Sequence, residues 1–361
     1  MSRIEKAQLE TLSNVSLCRS ETNATSTAAR DLLPMIETSA LRRASETAPS
    51  LLASQLNRLI FVGGSPRSGT TLVQRILDSH PEIYGGPEFG FVSPIVNLFQ
   101  DMRKSLRSGG GIDAILDEKG LVHAFRCLLV DLLLPKLQAE GVNYLSEKSP
   151  SNVLAFSWLE EYAPEAKKIL VVRDPRDVVS SMLEVGQRQR RRQGRAYGFV
   201  RDTLAAVDYM NEHLKAGTAF AEASANCLVI YYEDVVSDPL IVANRMFRFI
   251  GVHEMERLDL ENEQFEAARN REIWIDWITP GTMCGGVEKD RVGIAEQRLK
   301  RADLDFICAK TIRHPLLTKR YSIPSLGWTV AAGWCIARCV ALRIKQRVPT
   351  LWTSLRRRLT L

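Results

Sequence analysis

The first sustained hydrophobic run in the chain is Leu59-Ile60-Phe61-Val62, a stretch of strand length closed by Gly63-Gly64. Beyond a loop that reaches Gly69 the apolar positions change period, and Leu72, Val73, Ile76 and Leu77 fall on one face of a helix. The same grammar returns further on: Lys168-Ile169-Leu170-Val171-Val172 reads as a buried strand, Arg173 to Arg176 as a turn, and Asp177 to Val185 as a helix. Cys227 to Tyr231 reads as a third strand, ending before a turn at Glu233-Asp234. Longer helical patterns lie at Leu121 to Gln138, Tyr197 to Glu222 and Leu240 to Ile250. Strands that are apolar throughout and alternate with helices predict an α/β fold. The expected architecture is a P-loop-like, mostly parallel sheet flanked by helices on both faces, with ligands held beyond the carboxyl ends of the strands.

The flanks differ in character. Residues 1–57 are rich in Ser, Thr, Ala, Glu and Arg and read as a flexible lead-in, with the folded domain expected over 58–322. The remainder, 323–361, is a basic amphipathic tail in which Trp328 and Trp334 precede Arg338, Arg343, Lys345 and Arg347, and which closes on Arg356-Arg357-Arg358. Its apolar stretch of about 12 residues is shorter than the ~20 that span a bilayer. Peripheral membrane contact and a helix packed on the domain both remain open for it.

Composition narrows the partners. With 361 residues, 45% of them hydrophobic, the chain can bury a large core. Its net charge of +6 suits an anionic ligand but is too mild and dispersed to indicate nucleic acid. Seven cysteines without a CxxC pair argue against a fully paired disulfide framework, and five scattered histidines show no metal-ligand spacing, so no metal is expected. No basic-then-apolar leader opens the chain, and a cytoplasmic location is the simple expectation.

The chemistry concentrates after the first strand. In Gly63 to Leu72, backbone N–H groups and the positive end of a helix converge on one spot, to which Arg67 adds charge and Ser68, Thr70 and Thr71 add hydroxyls. The spacing approaches the phosphate-loop pattern GxxxxGK, but Thr70 stands where the lysine belongs. The segment Pro66-Arg67-Ser68-Gly69-Thr70-Thr71-Leu72 instead resembles the donor-binding signature of the sulfotransferases. Val172 to Ser181 resembles that family's second signature, and Tyr231-Tyr232-Glu233-Asp234 its strand end near the nucleotide. The resemblance covers about Leu59 to Pro239. It implies the sulfotransferase fold and the co-substrate 3'-phosphoadenosine 5'-phosphosulfate, held by Arg67, Ser68, Gly69, Thr70 and Thr71, with Arg173 and Ser181 on the 3'-phosphate and Tyr232 nearby.

Sulfuryl transfer needs a base and one or two cations. Glu88, in the Gly85-Gly86-Pro87 turn, resembles the general base of the tyrosylprotein branch. Lys148 resembles the lysine which that branch places on the bridging oxygen, and Arg67 completes the catalytic set. A closing loop is expected at Cys284 to Gly293. The missing leader departs from the Golgi-resident tyrosylprotein enzymes. On that ground a carbohydrate, glycolipid or small metabolite is the expected acceptor and protein tyrosine the less favoured one. The rivals are a magnesium-dependent P-loop kinase or triphosphatase, and a nucleotide-binding homologue without turnover.

Overall fold

The computed structural model describes residues 50–196, 198–260, 277, 287, 289–311, 314–318 and 320–321. The chain divides into two units, Met1–Leu51 and Leu52–Leu361, and the sheet and helices that follow belong to the larger. The expected basic tail, most of the lead-in and residues 284–286 and 288 of the expected closing loop lie outside the described residues.

Five strands, β1 (Leu59–Gly64), β2 (Ile83–Tyr84), β3 (Tyr144–Lys148), β4 (Lys167–Val172) and β5 (Cys227–Tyr231), form one sheet in the order β2-β3-β1-β4-β5. Every pairing is parallel. Strand β1 therefore lies between two strands reached by crossovers in opposite directions, the position at which open α/β sheets bind ligands beyond their carboxyl ends.

Alternation along the strands builds two cores. Leu59 and Phe61 of β1 and Leu170 and Val172 of β4 face one side, whereas Ile60, Val62, Ile169 and Val171 face the other. The second face is covered by α1 (Thr70–Asp78), which contributes Val73, Ile76 and Leu77. The first face is covered by α2 (Val92–Arg107), α3 (Glu118–Glu140), α4 (Asn152–Tyr162), α5 (Pro175–Gln193) and α6 (Thr203–Ala223). After β5 come α7 (Tyr232–Ser237) and α8 (Pro239–Ile250), and the latter buries Val242, Met246 and Phe247 on the second face. The helices α9 (Ala295–Arg298), α10 (Arg301–Thr311) and α11 (Pro315–Thr318) follow α8 among the described residues.

Helix starts follow the side chains available. Asp174 caps α5 by accepting from Arg176 N, with Pro175 in the first turn where no N–H is required. Asp202 caps α6 by accepting from Ala205 N, which moves that helix start to Thr203 rather than Tyr197. The expected turn at Glu233-Asp234 is instead the helix α7.

Candidate active site

The side chains singled out from sequence lie at the carboxyl edge of the sheet, on the segments that follow β1, β2, β4 and β5 and at the end of β3. After β1 the chain turns sharply. Arg67 takes a left-handed φ of 72°, rare for a residue with a side chain, and Gly69, the N-cap of α1, takes 99°. Such a conformation costs a non-glycine residue about 1–2 kcal/mol, so Arg67 is held there by its contacts. Its Nε donates to Ser181 Oγ at 3.0 Å and its guanidinium donates to the Trp277 carbonyl at 2.7 Å. Ser181, which helical spacing alone would leave facing solvent, is buried on α5 and meets Arg67 across 114 residues of chain.

Arg173, first residue after β4, donates to the Arg67 carbonyl at 3.2 Å and to the Arg291 carbonyl at 2.5 Å. It also lies 3.8 Å from Asp177, and its guanidinium sits 4.2 Å above the ring of Tyr232, first residue after β5. That ring packs against Gly69 so closely that a Cβ there would stand 2.3 Å from Tyr232 Cδ2. The two arginines on which the donor reading depends are thus direct neighbours. Asp177 in turn accepts from Gly293 N at 2.8 Å and Ala295 N at 2.9 Å, docking the described end of the expected closing loop beside Arg173.

Electrostatics mark this cradle as an anion site. Burial, then the nearby charges of Arg188 and Arg173, push the Arg67 guanidinium down to about 10. Toward the end of α5 and just beyond it, Arg188 is half-buried and pairs with Glu184 at 3.0 Å, whereas Arg190, Arg191, Arg192 and Arg195 are exposed. Two buried polar atoms in the cradle, Ser68 Oγ and Arg173 Nε, have no hydrogen-bond partner among the described residues. Crowded cations beside unsatisfied donors fit an anionic ligand.

The candidate base lies on the other side of β1. Glu88 forms an ion pair with Lys148, the last residue of β3, and Lys148 Nζ is 3.4 Å from Thr71 Oγ1 of α1. The turn before Glu88 is tied down by buried Gln74, which donates to the Gly86 and Ser146 carbonyls at 3.2 and 2.7 Å, and by Asp78, which accepts from Gly85 N. Sequence reasoning misses Glu147. It is 3% exposed, and burial pushes its carboxyl up despite hydrogen bonds from Ser149, Asn152 and Phe89 N. Its one signal in the sequence is a charge next to Lys148.

The fold also gathers His80, Glu82 and His253, whose ligand atoms lie within 4.8 Å of one another. His80 Nδ1 accepts from Glu82 N at 3.2 Å, which leaves its other nitrogen to donate to the His253 carbonyl at 3.1 Å. Both ring nitrogens are committed to backbone, and Glu82 accepts from Asn143 and pairs with His253. The trio acts as a brace on the turn that leads to Glu88.

Comparison with known proteins agrees with this arrangement. A family model described as the sulfotransferase family matches residues 59–256. Protein-tyrosine sulfotransferase 1 of Danio rerio is 32% identical over 195 residues, 54% of this chain and 53% of the relative. Protein-tyrosine sulfotransferase 2 of Gallus gallus is 28% identical over 261 residues, 66% of this chain and 67% of the relative. The chain thus spans about half to two thirds of the length of these curated relatives. Among solved structures, the sulfotransferase domain of the Synechococcus PCC 7002 olefin synthase aligns with 74% of this chain and 95% of its own, at a TM-score of 0.46 and 20% identity.

These names overturn one expectation. Protein tyrosine, set behind carbohydrates, glycolipids and metabolites for want of a leader, is the acceptor named for both curated relatives. A leader governs delivery and carries no information about which hydroxyl reaches the base, so that ranking has no basis in the pocket. With the family match covering more than half of its residues, and both donor signatures folded onto one cradle, the chain belongs to the sulfotransferase family.

Proposed function

We propose that the chain transfers the sulfuryl group of 3'-phosphoadenosine 5'-phosphosulfate to a tyrosyl hydroxyl of a protein or peptide. The observation that carries this reading is the line of side chains Glu88, Lys148 and Thr71, which joins a carboxylate to the first turn of α1 beside the arginine cradle. The donor's 5' end would lie on the backbone of Gly69, Thr70 and Thr71 with Ser68 and Arg67, and its 3'-phosphate between Arg173 and Ser181. Tyr232 would border the nucleotide. The tyrosyl acceptor is supported by the names of the relatives.

In this mechanism Glu88 takes the phenolic proton as the acceptor oxygen attacks sulfur in line. The bond from sulfur to the bridging oxygen breaks, and its electron pair leaves with the 5'-phosphate. Lys148 and the loop amides stabilise the charge that grows on that oxygen. The test is incubation with labelled donor and a set of tyrosine-containing peptides, followed by mass spectrometry to locate the sulfate. Sulfate on tyrosine is the expected result; absence of transfer to any peptide defeats the tyrosyl assignment.

A further inference from the structure

The loop that carries Glu88 has a deep anchor. Glu147 Oε1 accepts from Phe89 N at 3.2 Å and from Ser149 Oγ at 2.6 Å, and Ser149 Oγ itself accepts from Gly90 N at 3.1 Å. Glu147 Oε2 accepts from Asn152 Nδ2, which also donates to the Val62 carbonyl at 3.0 Å. An unbroken network therefore runs from β1, the strand that launches the phosphate loop, to the two peptide groups that follow Glu88. Residues 88–90 belong to no helix or strand, so this network does for them what a ladder does for a strand. Burying a carboxylate is costly unless its oxygens are satisfied, and here both are.

We propose that Glu147 is a positioning residue for sulfuryl transfer. Its carboxylate clamps the Phe89 and Gly90 peptides so that Glu88 stays against Lys148 and Thr71. Adjacent residues on β3 then have separate roles, since Glu147 holds the backbone of the loop and Lys148 holds the carboxylate it presents. The catalytic half of this inference rests on Glu88 being the base; the clamp itself does not.

The experiment compares the full-length chain with Glu147→Ala, Glu147→Gln and Ser149→Ala. It records kcat and KM on a tyrosine peptide, the Kd for adenosine 3',5'-bisphosphate, and hydrogen exchange at the Phe89 and Gly90 amides. Misplacing a reacting group by an ångström costs about a hundredfold, so Glu147→Ala should lose kcat on that scale. Nucleotide Kd should stay within about twofold, as for separate sites. Glu147→Gln keeps an oxygen for Phe89 N and Ser149 Oγ, and should recover most of the loss. Ser149→Ala, a milder change in case Glu147→Ala misfolds, should free the Gly90 amide and lower kcat less. Exchange at Phe89 and Gly90 should be slow in wild type and fast in Glu147→Ala. Unchanged kcat in Glu147→Ala, unchanged exchange, or kcat and nucleotide Kd worsening in proportion would each overturn the proposal. A wild-type chain that sulfates nothing would defeat the functional reading, while the exchange measurement would still decide the clamp.

Discussion

Gly69→Ala separates strain from function in a way the geometry makes quantitative. The new Cβ would lie 2.3, 3.0 and 3.3 Å from Cδ2, Cε2 and Cγ of Tyr232, against the roughly 3.5–4.0 Å of ordinary carbon contacts. The ring must therefore retreat by more than about 1 Å, and Arg173, which sits 4.2 Å above it, loses its platform. The left-handed φ of 99° adds about 1–2 kcal/mol, and overpacking about 1–3 kcal/mol more, so about 2–5 kcal/mol of stability should be lost. Gly251→Ala is the matched control, with the same φ of 99° and nothing within 4 Å of its Cβ. It should lose only the conformational part, about 1–2 kcal/mol. Urea unfolding reads the stabilities, and titration calorimetry with adenosine 3',5'-bisphosphate reads the cradle. If Arg173 holds the donor's phosphate as proposed, displacing it forfeits a charged hydrogen bond of about 1.5–3 kcal/mol, so nucleotide Kd should weaken about ten- to hundredfold in Gly69→Ala and stay put in Gly251→Ala. Equal stability losses in the two variants, or an unaltered Kd in Gly69→Ala, would refute the packing argument.

Other outcomes test the remaining parts. Glu88→Gln should lower kcat by about a hundredfold or more with nucleotide Kd unchanged, as removal of a general base requires; calorimetry beside a turnover assay checks it. Ser68→Ala should leave the melting temperature of the ligand-free protein level or slightly raised, because its buried hydroxyl has no partner among the described residues to lose, yet weaken nucleotide binding. Burial holds His80 below the usual histidine range, so the unfolded chain binds the proton more readily than the native one. Stability contributed by neutral His80 should therefore be lost as pH falls below about 6.5. His80→Asn should flatten that slope in urea titrations between neutral and acid pH, without abolishing it, since burial lowers His213 and His314 as well.

What the sequence makes legible follows from how each element is buried. Strands β1, β4 and β5 are apolar runs that bury side chains on both faces, and their helices carry a plain period, so the phosphate loop and the Arg173 turn can be placed from pattern alone. Strand β3 carries no such signal because Ser146, Glu147 and Lys148 are buried by partners rather than by hydrophobicity, respectively Gln74, Asn152 and Glu88. A pattern of apolar residues cannot reveal a strand whose inward groups are charged. For the same reason Lys148 reads as a residue beside a turn rather than at a strand end, and Glu147 does not stand out. Two residues of β2 are too few for any periodic signal.

The strand order has a consequence for how the molecule reaches its working state. Neither partner of β1 is the strand that follows it in the chain, and the contacts that lock its loop are remote, such as Ser65 Oγ to the Met210 carbonyl across 145 residues. Loop closure over such separations must precede the reward of those contacts, which slows formation of parallel sheets. Competence should consequently emerge late in folding, once β3 and β4 have both docked on β1, so that recovery of nucleotide binding during refolding should lag behind recovery of helical signal.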